Sequence, residues 1–206
     1  GEAMLAHHPA QVAALAAYRD YQLATFGERF SLLSREDLRA AGMEGPGFFG
    51  GLTGARGFGL HPLAYTRGLA AAAHRAGARL HAHSPVVAWR SRGARHELTL
   101  ANGARVSAGQ VVVATNAYTP EAVFTAHAGR LIPAPSNVLA TRPLTASELA
   151  AQGWTTARMA YDTRNLLHYF RLLPDGRFLF GGRGGTDGSV AADGPMPQTR
   201  EHILLA

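Results

Sequence analysis

The run Gln110–Pro120, QVVVATNAYTP, constrains this chain most. Val111, Val112 and Val113 in succession, followed by the small Ala114 and Thr115, read as a strand buried on both faces. Such a strand needs hydrogen-bonding neighbours and cover above and below. It ends abruptly in polar residues at Asn116, and Pro120 closes the stretch. A strand of this kind commonly delivers its carboxyl end to a ligand.

The surrounding sequence alternates helix and strand signals. Val12, Leu15, Ala16, Leu23 and Phe26 recur at helical intervals, which predicts an amphipathic helix over residues 9–26. Ser34 is an N-cap with Asp37 three residues on, and Gly42 stops that short helix. The glycine-rich stretch 42–59, with Phe48, Phe49 and Phe58 interleaved, reads as loop or short strand. Pro62 opens a further helix that closes at Gly77. From there β signals dominate. Residues 78–83 read as a strand, Ser84–Pro85 as a turn, and the following residues as another strand. Asn102–Gly103 sits between two alternating stretches, a hairpin signal. Residues 130–144 read as extended and TASELAAQG as a short capped helix. Pro174–Asp175–Gly176 marks a second hairpin, within a mostly antiparallel sheet over 130–183. The final TREHILLA resembles the opening of a helix, and on that reading the chain is a piece of something longer.

Composition removes several function classes. At 206 residues with 47% hydrophobic and 17% charged side chains, the chain is core-forming. It has no cysteine, which excludes thiolate catalysis, cysteine-ligated zinc and flavin attachment through cysteine. The net charge of +6 is carried by arginine alone, for lysine is absent. No lysine Schiff base and no Walker-type phosphate lysine can form. The arginines are scattered without a basic run, so a composition bias explains them better than nucleic-acid binding. His81 and His83 would share a strand face and His7 and His8 are adjacent, yet no third ligand is evident, so no metal site is expected. No G-x-S-x-G nucleophile elbow occurs. No apolar run reaches membrane-spanning length and residues 1–20 lack the pattern of a signal peptide, so a cytoplasmic address is the expectation.

Three motifs in order carry a resemblance. His61-Pro62 through Leu69, Gly77 through Val86, and Val111 through Ala117 resemble the FAD-dependent amino-acid and amine oxidases of the D-amino-acid oxidase, glycine oxidase and sarcosine oxidase superfamily. The likeness runs from about Ser31 to Ser189, and HYFRLLPDGRFLFGGR resembles that family's substrate-domain strand pair. Within the family the γ-glutamylputrescine oxidoreductase branch is the nearest in pattern. The resemblance implies a mixed α+β (α/β) fold: part of an FAD/NAD(P)-binding sheet with its helix, plus an antiparallel-sheet substrate domain. It implies a linking helical or loop segment at 1–56, a partial FAD-binding domain at 57–120 and a substrate-binding domain at 121–206. The family's G-x-G-x-x-G turn is not found: in GARGFGLHP the third glycine position is Pro62, and no helix is evident after GGRGGTDG.

The same resemblance assigns roles. Val86 would make a backbone contact to adenine, and Ala114, Thr115 and Asn116 would lie beside the cofactor. Asn116 stands where the family more often has glycine. His61 would approach the flavin, or else it is a histidine at a helix start satisfied by backbone. Tyr169 and Arg171 alternate on one strand face and would line the substrate pocket, where an arginine can grip a carboxylate bidentately. The implied partner is a small amine or amino acid, with no nucleic acid and no membrane, and the implied cofactor is FAD. These 206 residues alone are expected to bind FAD weakly or not at all, and to associate with a second chain or a copy of themselves. The implied reaction is oxidation of a C–N bond by hydride transfer to flavin. The alternative is a non-catalytic binding or scaffold module with the substrate-domain fold.

Overall fold

The computed structural model describes residues 1–131 and 136–183. The helix opening expected at 199–206 and the glycine-rich loop after Arg183 lie outside the described residues. Elements in chain order are β1 (Glu2–Leu5), α1 (Gln11–Phe26), β2 (Phe30–Ser34), α2 (Arg35–Ala40), β3 (Gly50–Gly54), α3 (Pro62–Arg75), β4 (Val86–Arg92), β5 (Arg95–Leu100), β6 (Arg105–Ala108), β7 (Ser136–Pro143), α4 (Ala146–Gln152), β8 (Met159–Asp162), β9 (Tyr169–Leu172) and β10 (Arg177–Arg183). The described residues divide into two compact units, one formed by residues 1–60 with 136–183, the other by residues 61–131.

The first unit is built on a seven-stranded sheet in the order β2-β3-β1-β8-β9-β10-β7. The β1–β8 pair is parallel and every other pair is antiparallel. Residues 1–56, expected as a helical or loop link, supply three of these strands. The reason is local. EAML and GGLTG are short and rich in small residues, with too few alternating positions to signal a strand by themselves. They become strands because β1 is flanked on both edges, by β3 and by β8. Alternation then sorts the side chains. Ala3, Leu5, Ala160 and Phe170 enter one apolar cluster with Leu38, Met43 and Trp154. On the opposite face Leu52 packs with Ala6 and with Leu15 of α1. The helices follow their sequence signals. Ser34 and Asp37 close a reciprocal capping box on α2, and Thr145 and Glu148 do the same on α4.

The second unit holds α3 and the meander β4-β5-β6. Its hairpin turns at Asn102–Gly103, and the β9–β10 hairpin of the first unit turns at Asp175–Gly176, as expected. Gly103 and Gly176 take φ values of 84° and 80°, which those turns demand.

Three expectations for the second unit are corrected. Residues 110–115 are not a strand: they are irregular, and Val112 is 88% exposed. Residues 78–83 likewise form no strand, and the turn lies at Ala82–His83, where His83 has φ 52°. Helix α3 does not pack on a sheet with strand 110–115, for none of its residues is buried. The physical reason is common to all three. The meander satisfies its own ladder, and among the described residues no strand is offered to 78–83 or 110–115. A β-propensity of three valines cannot substitute for absent hydrogen-bonding neighbours.

Candidate functional site

In the first unit β8 and β9 are paired so that Tyr161 lies opposite Tyr169. Tyr169 and Arg171, two residues apart on β9, therefore share a face with Tyr161, while Phe170 points the other way. Phe170 is only 6% exposed and stacks among Phe48, Trp154, Phe178 and Phe180. This aromatic cluster fixes the strand from beneath and sets the direction of its neighbours. Tyr169 lies over Gly181, its partner across the β9–β10 ladder, where any side chain would collide with the phenol ring. Its hydroxyl is 2.8 Å from Ser136 Oγ. Arg171 Nη2 donates to the Leu60 carbonyl oxygen at 3.1 Å. Burial pushes the Tyr161 hydroxyl up to about 12, with smaller contributions from Glu2 and Tyr18. The face thus offers a held guanidinium and two phenols, a donor set suited to a small carboxylate-bearing molecule.

In the second unit Ala114, Thr115 and Asn116 form one exposed turn that leads into a short 3₁₀ turn, Asn116–Tyr118. Asn116 has φ 48°, the left-handed region. That explains why asparagine can stand where the resembled family favours glycine, since asparagine tolerates this conformation better than other side chains do. Thr115 Oγ1 lies 2.8 Å from Thr119 Oγ1, and Thr119 donates to the Asn116 carbonyl at 2.6 Å. Val86 opens β4, a different element, and pairs with Leu100. His61 is the N-cap of α3: its Nδ1 accepts from the Ala64 N–H at 3.3 Å. The structure thus gives His61 the backbone engagement expected of a histidine at a helix start.

Sequence reasoning missed Tyr161, Ser136 and a buried carboxylate. The alternation M-A-Y-D at 159–162 carried the signal for Tyr161, but without the β8–β9 register nothing linked it to Tyr169. Asp162 is 2% exposed and accepts from the Arg164 and His168 backbone N–H groups at 3.1 Å each. It also pairs with the Arg164 guanidinium and with His168 Nδ1, the latter at 3.3 Å. These contacts close the loop that delivers the chain to Tyr169. Among the described residues no group of three or more acidic or histidine side chains could hold a metal ion.

The family profile described as DAO, FAD dependent oxidoreductase, matches residues 1–205. This chain belongs to that family. Members depend on FAD. Among curated relatives, "Probable oxidoreductase OrdL" of Haemophilus influenzae is 34% identical over 149 residues, covering 70% of this chain and 34% of that protein. Among solved structures, glycine oxidase of Bacillus cereus superposes with a TM-score of 0.72 at 16% identity, covering 89% of this chain and 48% of that one. Iminodiacetate oxidase of Chelativorans sp. gives 0.68 at 15% identity, covering 99% and 53%. The chain therefore spans a third to a half of the length of these family relatives, and the two structural likenesses establish the fold.

The exposed turn at Ala114–Asn116 fits such a cofactor in kind. It is small and polar, and it ends in the left-handed Asn116. A phosphate cradle is a different matter. Among the described residues, none of the longer helices opens from a glycine turn: α1 follows Pro9–Ala10 and α3 begins at Pro62.

Proposed function

We propose that this chain supplies the substrate-holding face and part of the cofactor-holding turn of an FAD-dependent oxidoreductase acting on the C–N bond of a small amine or amino acid. The observation that carries the reading is the held guanidinium of Arg171 beside Tyr169 and Tyr161 on one sheet face. Family membership supplies the class of chemistry. Bound FAD would accept the hydride from the substrate carbon. The chain's own residues bind and orient. Arg171 takes the substrate carboxylate, and the two phenols flank it and limit the access of water. Thr115, Asn116 and the main chain of Ala114 lie along the cofactor, and Val86 makes a backbone contact to it. His61 holds the start of α3 in register. Residues 57–120 then serve as the partial FAD-binding domain and residues 121–206, joined by the strands of 1–56, as the substrate domain. A substrate with both a carboxylate and a free amine, as in γ-glutamylputrescine, suits an arginine in this place.

The test is carried out on this chain. Glycine, a carboxylate-bearing amine, is titrated against methylamine, and NMR shifts are followed at Tyr161, Tyr169 and Arg171. Glycine is expected to shift all three and Arg171→Met to remove the response. Equal responses to glycine and methylamine would sink the carboxylate reading. FAD is titrated separately through its own fluorescence, and weak saturable quenching is expected. Unaltered FAD fluorescence together with silent tyrosines would return the non-catalytic scaffold reading. The exposed pair Val112–Val113 also makes self-association the expected state at high concentration, which light scattering would detect.

A further inference from the structure

Arg171 does not reach its position unaided. Its Nη2 donates to the carbonyl of Leu60, and its guanidinium lies against Gly59 where a side chain on that residue would have to stand. The sulfur of Met159, on the neighbouring strand, would lie 3.4 Å from the same point. Among the described residues, Nε and Nη1 of Arg171 donate to no protein oxygen. The planar fork is therefore fixed along one edge by a main-chain oxygen and left open along the other.

We propose that Gly59 is a positioning residue, and that together with the Leu60 carbonyl it forms the seat that presents the free edge of Arg171 to an anionic group. The proposal rests on the reading of Arg171 as the carboxylate holder. A flexible side chain such as arginine samples many rotamers, and ordering it costs conformational entropy. A seat that has already restricted those rotamers lowers the cost at the moment of binding. A flat guanidinium needs a flat floor, and a residue without a Cβ provides one. Any side chain at position 59 would push the fork off the Leu60 oxygen and turn its free edge away. Nothing else at Gly59 demands glycine, for its φ lies outside the left-handed region. The substitution Gly59→Ala is therefore compatible with the backbone, and the atom it displaces is the far end of a flexible side chain.

The experiment uses the full chain, labelled with ¹⁵N at arginine, in wild-type, Gly59→Ala, Arg171→Met and Gly47→Ala forms. Gly47 has open space around its Cβ position and serves as the control. Slow exchange of the Arg171 Nη2–H that donates to the Leu60 carbonyl is read first. It should be protected in wild type and in Gly47→Ala, and accelerated by about tenfold in Gly59→Ala, the loss expected for one hydrogen bond. Urea midpoints should be alike in all three, which separates positioning from folding. Protection unchanged in Gly59→Ala would overturn the proposal. So would an Arg171 Nη2–H unprotected in wild type. Acetate and its neutral counterpart acetamide are then added. If the exchange results hold but acetate produces no shift, the seat stands and the assignment of Arg171 to a substrate carboxylate falls. If acetate binds and Gly59→Ala weakens it about tenfold while acetamide is silent, both stand.

Discussion

Tyr161 illustrates how far a sheet register can change a side chain's chemistry. Alone it is one tyrosine among six. Set opposite Tyr169 and half-buried near Glu2, its hydroxyl is raised to about 12. The raised value means that the native state keeps a proton which the unfolded chain has already lost. Stability is thus unaffected below the ordinary tyrosine value of 10.0 and falls as pH climbs from there through about 12. Tyrosinate absorbance should show one late-titrating tyrosine that disappears in Tyr161→Phe. A normal titration of all six would refute the buried placement. Asn116 makes a second case. Its left-handed φ of 48° predicts that Asn116→Ala loses about 1 kcal/mol while Asn116→Gly is nearly neutral, as measured by urea midpoints. Equal losses in both would show that the side chain matters and not the backbone. The departure from glycine at this position was readable in the sequence; the backbone conformation that permits it was not.

The short helices were legible because their caps are local. Ser34–Asp37 and Thr145–Glu148 are each four residues long and complete their own hydrogen bonds. The hairpins at Asn102–Gly103 and Asp175–Gly176 were legible for the same reason. Residues 78–83 and 110–115 misled because a strand is defined by its neighbours, and β1 and β2 were missed for the converse reason. The α4 cap also makes a pH prediction. The Arg142 side chain, followed by the Thr145 backbone and hydroxyl, lowers the Glu148 carboxyl to about 2. A depressed carboxyl contributes stability above its ordinary 4.5 and loses it as pH falls through about 2. The ¹³C titration of Glu148 should reach its midpoint near the lower value, and a midpoint near the ordinary one would mean that the cap is not formed. Asp162 acts on a loop instead of a helix. Replacing it by alanine leaves two backbone N–H groups and a guanidinium without their acceptor, a loss of about 2–3 kcal/mol. Thermal unfolding would register it, and a change below about 0.5 kcal/mol, the scale of ordinary surface substitutions, would show the cluster to be solvated.

The valine run that dominates the sequence contributes little to the fold of this chain. Val112 is 88% exposed, so Val112→Ser should alter stability by less than about 0.5 kcal/mol, against several times that for a core valine. A large loss on urea unfolding would place the run in a core. The sheet of the first unit presents the opposite situation. Its parallel pair joins Glu2–Leu5 to Met159–Asp162, strands more than 150 residues apart in the chain. Everything between them, including the whole of the second unit, is made before the partner strand exists. During synthesis β1 must wait, paired on one edge with β3, while the ribosome produces more than a hundred further residues. The meander β4-β5-β6 needs only contacts between near neighbours and can form in that interval. The order of folding is thus inner segment first and outer sheet last.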